Sequence, residues 1–373
     1  MKYLFVLGRN PELSKREVLS YFKKEANPVL NFELNNNGLL IEVKNSIDPK
    51  IVNSFGGVLA IGEIIVESKF SELDGKLNEK MIYLGEENKL TYVIWDFSSN
   101  YEFIQDYLKK RFKEEKIKAT EKHLTGNIKM QNGEEIEIPS SKLLDEEYFL
   151  FEGKEKEYFG KIISHCDYES LEKRDMEKPI RRESLAISPR LAKIMINLAE
   201  LKPEDKLLDP FCGVGTVLQE ALLQGINVVG VDKDEKAIKG SEKNLKWFGF
   251  SENDYLLINF DSTKVNIPEV SGVTTEPDLG ETLKKIPTKN HAEKTLKNFE
   301  KLMVQVINNI KGNVKGKIVF TSPYIRIGKI RLSCDIENIC SRTGHSLVEE
   351  GISEFRDNQV VGRMIYVLKK NKL

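Results

Sequence analysis

Long apolar runs are missing from this sequence. No stretch approaches the ~18 consecutive apolar residues of a membrane helix. The opening MKYLFVLGRNPELS has only a few apolar residues, without a signal-peptide core or a small-residue cleavage site. Cysteine is scarce: Cys166, Cys212, Cys334 and Cys340 form no CxxC pair, so a zinc site is not expected and reduced cysteines of a cytoplasmic chain are. His123, His165, His291 and His345 stand at no metal-ligand spacing, and no metal is expected; they read as structural or surface residues. Trp95 and Trp247 read as packing residues. An excess of one charge is also missing. With 57 Lys+Arg against 58 Asp+Glu, the net charge is -1, which excludes a polycation and confines any nucleic-acid contact to local basic patches.

What is there suffices for several cores. Apolar residues are 40% and charged residues 31% of 373, so global disorder is excluded and two or three domains are expected. Lys2 to Leu7 reads as a buried strand, Ser14 to Phe22 as a helix, and Val29 to Val43 as a hairpin about Asn35-Asn36-Asn37-Gly38. A helix and a strand fit between Asp48 and Val66, closing a small α+β block over 1–70. A second block, 71–166, has a strand at Thr91–Trp95 and a helix at Tyr101–Glu115. It also has a turn at Asn132-Gly133 and a strand-like Tyr148-Phe149-Leu150-Phe151. Residues 167–187 are polar and broken by proline, and read as a linker. From 188 to 373 helix and strand alternate: helix 189–200, strand 206–209, helix 216–224, strand 227–232, helix 234–247, strand 255–259. That alternation predicts an α/β fold with a doubly wound, mostly parallel sheet. Lys284 to Lys301 carries Leu296, Phe299 and Leu302 at helical spacing and reads as a helix covering the sheet.

The chemistry concentrates after the strand Lys206-Leu207-Leu208-Asp209. The chain turns through Pro210-Phe211-Cys212-Gly213-Val214-Gly215 and a helix opens at Thr216. Glycines let backbone approach a ligand at the carboxyl edge of the sheet. A carboxylate at Asp209 suits a cationic amino acid group and would repel a pyrophosphate, and neither GxGxxG nor GxxxxGK[ST] is present. The next strand ends at Asp232-Lys233, where an acid can accept hydrogen bonds from both ribose hydroxyls. The third ends near Asp261-Ser262, placed for an adenine edge. Singly, each acid is a helix cap or turn former. Three in this order after a glycine turn fit a nucleoside carrying an amino acid, S-adenosylmethionine, better than a dehydrogenase cofactor.

Asp209-Pro-Phe-Cys-Gly-Val-Gly-Thr resembles the cofactor loop of class I methyltransferases acting on nucleobase amino groups. Ile187-Ser188-Pro189-Arg190-Leu191-Ala192-Lys193 through Ala199, the preceding Lys173-Arg174-Asp175 and Lys178-Pro179-Ile180-Arg181-Arg182, and the opening Leu7-Gly8-Arg9-Asn10-Pro11-Glu12-Leu13-Ser14 are similar to the archaeal tRNA guanosine-10 N2-methyltransferase family. The resemblance covers most of the chain, strongly over 170–247. It implies a ferredoxin-like unit, a THUMP RNA-binding domain and a Rossmann-like methyltransferase domain. It also implies tRNA as partner, with a small activator protein subunit as a further candidate partner. The family carries Asp-Pro-Pro-Tyr after the third acidic strand, and this sequence departs from it. Its positional match is Gly272-Val273-Thr274-Thr275-Glu276-Pro277-Asp278-Leu279-Gly280, with Glu276 in the place of the amine-binding Asp, Asp278 where a proline or aromatic follows, and no aromatic in the motif; Tyr324 is a candidate to supply one. A carboxylate there would accept hydrogen bonds from the exocyclic amine and take up developing positive charge. Glu276-Pro277-Asp278 also reads as an ordinary acidic turn.

Two basic stretches fit phosphate contacts for an RNA whose target base is flipped out. One holds Lys173, Arg174, Lys178, Arg181, Arg182, Arg190 and Lys193; the other holds Lys109, Lys110, Arg111, Lys113, Lys116 and Lys118. Both contain acids and read equally as solvated faces. The resemblance favours RNA, and THUMP domains are thought to grip the acceptor-stem end. The reading is a tRNA (guanine-N2-)-methyltransferase. The alternatives are an adenine-N6 or cytosine-N4 nucleic-acid methyltransferase, and a methyltransferase-like RNA-binding protein without activity.

Overall fold

The computed structural model describes residues 1–123, 126–131, 135–138, 144–181, 187–280, 283, 285–356 and 358–371. The chain divides into two compact units, one of residues 1–15, 26–53 and 57–166, the other of residues 16–25, 54–56 and 167–373.

The first unit holds strands β1 (Lys2–Leu7), β2 (Val29–Asn35), β3 (Gly38–Val43), β4 (Val58–Ser68), β5 (Lys89–Phe97), β6 (Lys118–Glu121), β7 (Gly126–Lys129), β8 (Glu135–Ile138), β9 (Glu146–Glu152) and β10 (Glu157–His165). Helices α2 (Phe70–Asn78) and α3 (Tyr101–Glu114) belong with them, and helix α1 (Pro11–Lys24) divides between the two units. One eight-stranded sheet runs in the order β2-β3-β1-β4-β10-β9-β5-β6. The blocks expected on either side of residue 70 therefore share a sheet. Its junction is β4 paired antiparallel with β10, and the long apolar strand Val58–Ser68 has too many backbone groups to end a sheet unpaired. Leu73, Leu77, Tyr92, Ile104, Leu108, Phe112, Tyr148 and Phe159 pack into one buried cluster of this unit. The predicted turn Asn132-Gly133 lies outside the described residues.

The second unit follows the predicted alternation closely. Its elements are α4 (Tyr168–Met176), α5 (Pro189–Leu198), β11 (Lys206–Asp209), α6 (Thr216–Leu222), β12 (Asn227–Asp232), α7 (Glu235–Trp247), β13 (Tyr255–Asn259), β14 (Gly272–Thr275), α8 (Lys289–Ile310) and β15 (Ile318–Ile327). Then come β16 (Ile330–Leu332), α9 (Ile336–Thr343), β17 (His345–Leu347), β18 (Ile352–Glu354) and β19 (Val361–Lys370). The sheet order is β13-β12-β11-β14-β15-β19-β17, parallel from β13 to β15 and antiparallel at β19 and β17. This is the Rossmann-like α/β fold expected from the sequence, and its order reverses between β11 and β14, where ligands bind in such sheets.

Local chemistry sets the element ends. Ser188, Asp234, Thr288 and Asp335 cap α5, α7, α8 and α9 by accepting from backbone amides. Pro189 sits in the first turn of α5, where its missing N–H costs nothing. On α8, Leu296, Phe299, Met303, Ile307 and Ile310 recur at helical spacing and are buried with Val273, Ile318 and Phe320 of the sheet. The expected linker is partly helical, since Asp167 accepts from the Ser170 amide and starts α4. Trp247, expected to pack, is 42% exposed at the end of α7 and meets the Phe248 ring edge-on at 4.7 Å.

Candidate active site

One cleft of about 1130 Å³ lies over the carboxyl ends of β11, β12 and β14. Asp209, Phe211, Gly213, Thr216, Asp232, Lys233, Asp261, Ser262, Glu276, Pro277 and Asp278 all line it, together with Leu302 and Gln305 of α8 and residues 358–361 and Arg363 before and within β19. Topology thus brings the predicted donor and target residues together over about seventy residues of chain, except Gly215, which lies between the lining residues Val214 and Thr216 without lining the cleft itself.

Asp209 ends β11 and is 2% exposed. Its Oδ1 accepts from the Phe211 amide at 3.0 Å and from Thr275 Oγ1 at 2.6 Å, while Oδ2 has no partner among the described residues. Burial pushes its carboxyl up to about 7. The bonds from Thr275 and Phe211 oppose this, and the charges of Asp232 and Glu276 add to it. A buried carboxylate with one oxygen open to the cleft and no cation beside it is a place for a cationic group.

The loop after Asp209 needs its glycines. Gly213 has φ +53°, and a Cβ there would meet nothing within 4 Å. Gly215 has φ +89°, and a Cβ would lie 2.4 Å from Ser241 Oγ. Gly215 is the residue from which α6 starts. Asp232 organises this turn: Oδ2 accepts from the Gly213 amide at 3.0 Å and Oδ1 from the Asp234 amide at 2.9 Å. Each oxygen keeps a further lone pair for a ligand hydroxyl. Asp261 is exposed, and its Oδ1 accepts from Thr263 N and Oγ1, which holds its carboxyl below the ordinary value. Ser262 is committed internally, because its hydroxyl donates to the Pro210 carbonyl. Thr216 Oγ1 accepts from Lys178 Nζ at 3.0 Å. Burial lowers the pKa of this lysine, partly offset by Asp175.

At the other side of the switch point, Glu276 follows β14. Its carboxylate is bound in two places by Arg363: Nε donates to Oε1, and the second nitrogen donates to Oε2 at 3.1 Å. Thr321 Oγ1 donates to Oε1 at 3.3 Å. The side chains are 8% and 22% exposed. Burial alone would lower the Arg363 pKa, but the charge and hydrogen bonds of Glu276 more than offset it and raise it. Pro277 and Asp278 border the cleft, and Asp278 Oδ1 accepts from the Gly280 amide, as in an acidic turn. Tyr324 does not line the cleft; it packs on Phe355 at 5.8 Å with Arg331 over both rings.

Sequence reasoning missed Arg363, Thr275 and Thr321. Arg363 left a trace, a single arginine inside the apolar run Val360-Val361-Gly362-Arg363-Met364-Ile365-Tyr366. The threonines left none, since they read as ordinary strand residues.

The basic residues separate by environment. Lys173, Lys110 and Arg181 are exposed. Arg174, expected on RNA, has its guanidinium occupied inside the unit: Nε and a terminal nitrogen donate to the fully buried Glu220, the other to Ser170 Oγ. Lys193 also reaches Glu220, at 3.9 Å, and Lys178 is buried against Thr216. Arg111 donates to Glu115 and to the Lys80 carbonyl. Arg182 lies outside the described residues. Among the described residues no cluster of three His, Cys, Asp or Glu is placed to hold a metal, and no helix is long and apolar enough to cross a membrane.

Residues 17–243 match a family described as DNA methylase, and residues 179–314 match the RMKL-like methyltransferase domain family. A tRNA (guanine(10)-N2)-dimethyltransferase of Methanothermobacter thermautotrophicus is 33% identical over 140 residues, 37% of this chain and 39% of the relative. One from Methanocaldococcus jannaschii is 27% identical over 235 residues, 59% of each chain. The chain therefore spans between about two fifths and three fifths of the length of these relatives. In fold it is similar to the crystal structure of TrmN from Thermus thermophilus, with TM-score 0.56, 15% identity and 100% of both chains covered.

Proposed function

We propose that this chain, which belongs to the DNA methylase family, is a divergent relative of the archaeal tRNA guanosine-10 N2-methyltransferases and methylates the exocyclic N2 amine of a guanosine in tRNA, with S-adenosylmethionine as donor. The observation that carries this is the placement of Asp209, Asp232 and Glu276 around one cleft at the switch point of the sheet.

The residues present fit the donor. Open space stands over Gly213, and the free Oδ2 of Asp209 suits an ammonium. The loop-bonded carboxylate of Asp232 suits a pair of ribose hydroxyls. Asp261 and Lys233 border the end where a base edge would lie. When bound, the donor supplies an electrophilic sulfonium methyl. Glu276 would accept a hydrogen bond from the target amine, fix its nitrogen and offset positive charge as it develops.

The eight-stranded sheet of the first unit supports RNA binding by a ferredoxin-like and THUMP-like region, with exposed Lys110 as one phosphate contact and Lys173 of the second unit as another. An activator subunit is supported by β13. It is the open edge of the second sheet, with Leu256 46% exposed and, just beyond it, Phe260 51% exposed. A second reading, RNA binding without methylation, is favoured by one observation: Glu276-Pro277-Asp278-Leu279 contains no aromatic.

The test is methyl transfer from labelled donor to tRNA, followed by nucleoside mass spectrometry. N2-methylguanosine is expected, lost on Asp209→Ala and Glu276→Ala. N6-methyladenosine or N4-methylcytidine would move the assignment to the alternative amino targets. Donor binding without turnover on any RNA would leave the non-catalytic reading.

A further inference from the structure

Glu276 lies at the target end of the cleft, yet most of its acceptor capacity is already used. A carboxylate offers about four lone-pair positions. Arg363 Nε and Thr321 Oγ1 both donate to Oε1, and a terminal nitrogen of Arg363 donates to Oε2 at 3.1 Å. One position is left, on Oε2. The groups that hold the carboxylate come from two neighbouring strands, β15 and β19, which pair in register with Thr321 opposite Ile365 and Arg363 opposite Pro323. The lock is thus built into the sheet, whereas Glu276 itself sits on the segment leaving β14.

We infer that Arg363 is a positioning residue for the proposed transfer: with Thr321 it clamps Glu276 as a carboxylate and leaves only Oε2 to accept a single N–H from the target amine. This rests on the amine-methylation reading. A planar guanidinium held at two points fixes the carboxylate plane as well as its charge, which a lysine would not do. Glu276 is nearly buried and lies near a second carboxylate, Asp209, and Glu354 of β18 stands opposite Arg363 in register, so the guanidinium sits among three acids.

The experiment compares the full chain with Arg363→Met, Arg363→Lys and Thr321→Val by single-turnover transfer to tRNA, with donor affinity measured in parallel. Arg363→Met should lose roughly tenfold or more in rate, while donor affinity falls by no more than about threefold. Arg363→Lys, which restores the charge without the two-point hold, should recover only part of the rate, and Thr321→Val should lose less than Arg363→Met. A full rate in Arg363→Met, or a donor affinity that falls as far as the rate, overturns the clamp. A wild type that binds the donor but transfers no methyl to any RNA overturns the amine reading and the aim of Oε2, and leaves the ion pair a purely structural one.

Discussion

Asp209 is a carboxylate that the fold destabilises in its charged form. Its folded-state pKa, about 7, lies above the ordinary value of 3.8. Between those values the folded protein binds more protons than the unfolded chain, so the contribution of Asp209 to stability falls as pH rises from about 4 to about 7. A cationic ligand group reverses the preference, because it binds the ionised form. Donor affinity should therefore be level above pH 7 and fall by up to roughly tenfold per pH unit below it. Calorimetric titrations from pH 5.5 to 8.5 test this. Asp209→Asn should bind the donor weakly at every pH, remove the slope, and raise the melting temperature of the ligand-free protein more at pH 8 than at pH 5. The same buried setting explains what the sequence could not show here. The acid itself is legible before a glycine turn, but its ionisation depends on burial, which raises its pKa, and on Thr275, which arrives from another strand, bonds it at 2.6 Å and opposes the rise.

The elements of the second unit were largely legible, because apolar period, caps and glycines agree along 189–259. β11, β12 and β13 fall where the sequence puts them, and α5 and α6 end one turn or less before the expected residue. The turn entering α6 offers a comparison between two left-handed glycines. Gly215 has φ +89° and lies against Ser241; Gly249 has φ +80° and nothing within 4 Å of a Cβ. Each alanine substitution should cost about 1–2 kcal/mol for the left-handed backbone, measured by chemical denaturation, with Gly215→Ala the costlier. Only Gly215→Ala should also weaken donor binding, since Gly215 stands between the cleft-lining Val214 and Thr216 and Gly249 is remote from any lining residue in sequence. Equal donor affinity for both variants would remove the loop from the binding site. The linker was the least legible element. Its proline and charges signal a break, yet Asp167 caps a helix within it, and a cap of one turn is weak evidence in a sequence.

For the whole molecule, a net charge of -1 means that the proposed RNA binding has to rest on placed cations rather than on the global field. Lys110 and Lys173 are exposed and should each contribute about one unit to the slope of log affinity against log salt. Alanine at either should reduce that slope and leave stability within about 0.5 kcal/mol. Arg174→Ala should do the opposite: it leaves Glu220 buried without its main partner, at a cost of about 3–5 kcal/mol, with little change in salt dependence. A lowered slope in a stable Arg174→Ala would return that residue to the RNA face.

What the sequence determined by itself was local: the alternation of helix and strand, the glycine turn after Asp209, and the acid at the end of each following strand. These follow from nearest-neighbour physics of caps, backbone sterics and hydrophobic period, which act over a few residues. Tertiary structure alone decided which side chains meet at the Glu276 end of the cleft and which basic residues are spent internally. Arg363 meets Glu276 across 87 positions of chain, and Arg174 meets Glu220 across 46. Such pairs depend on strand order and helix placement, which residues distant in sequence settle only by packing together.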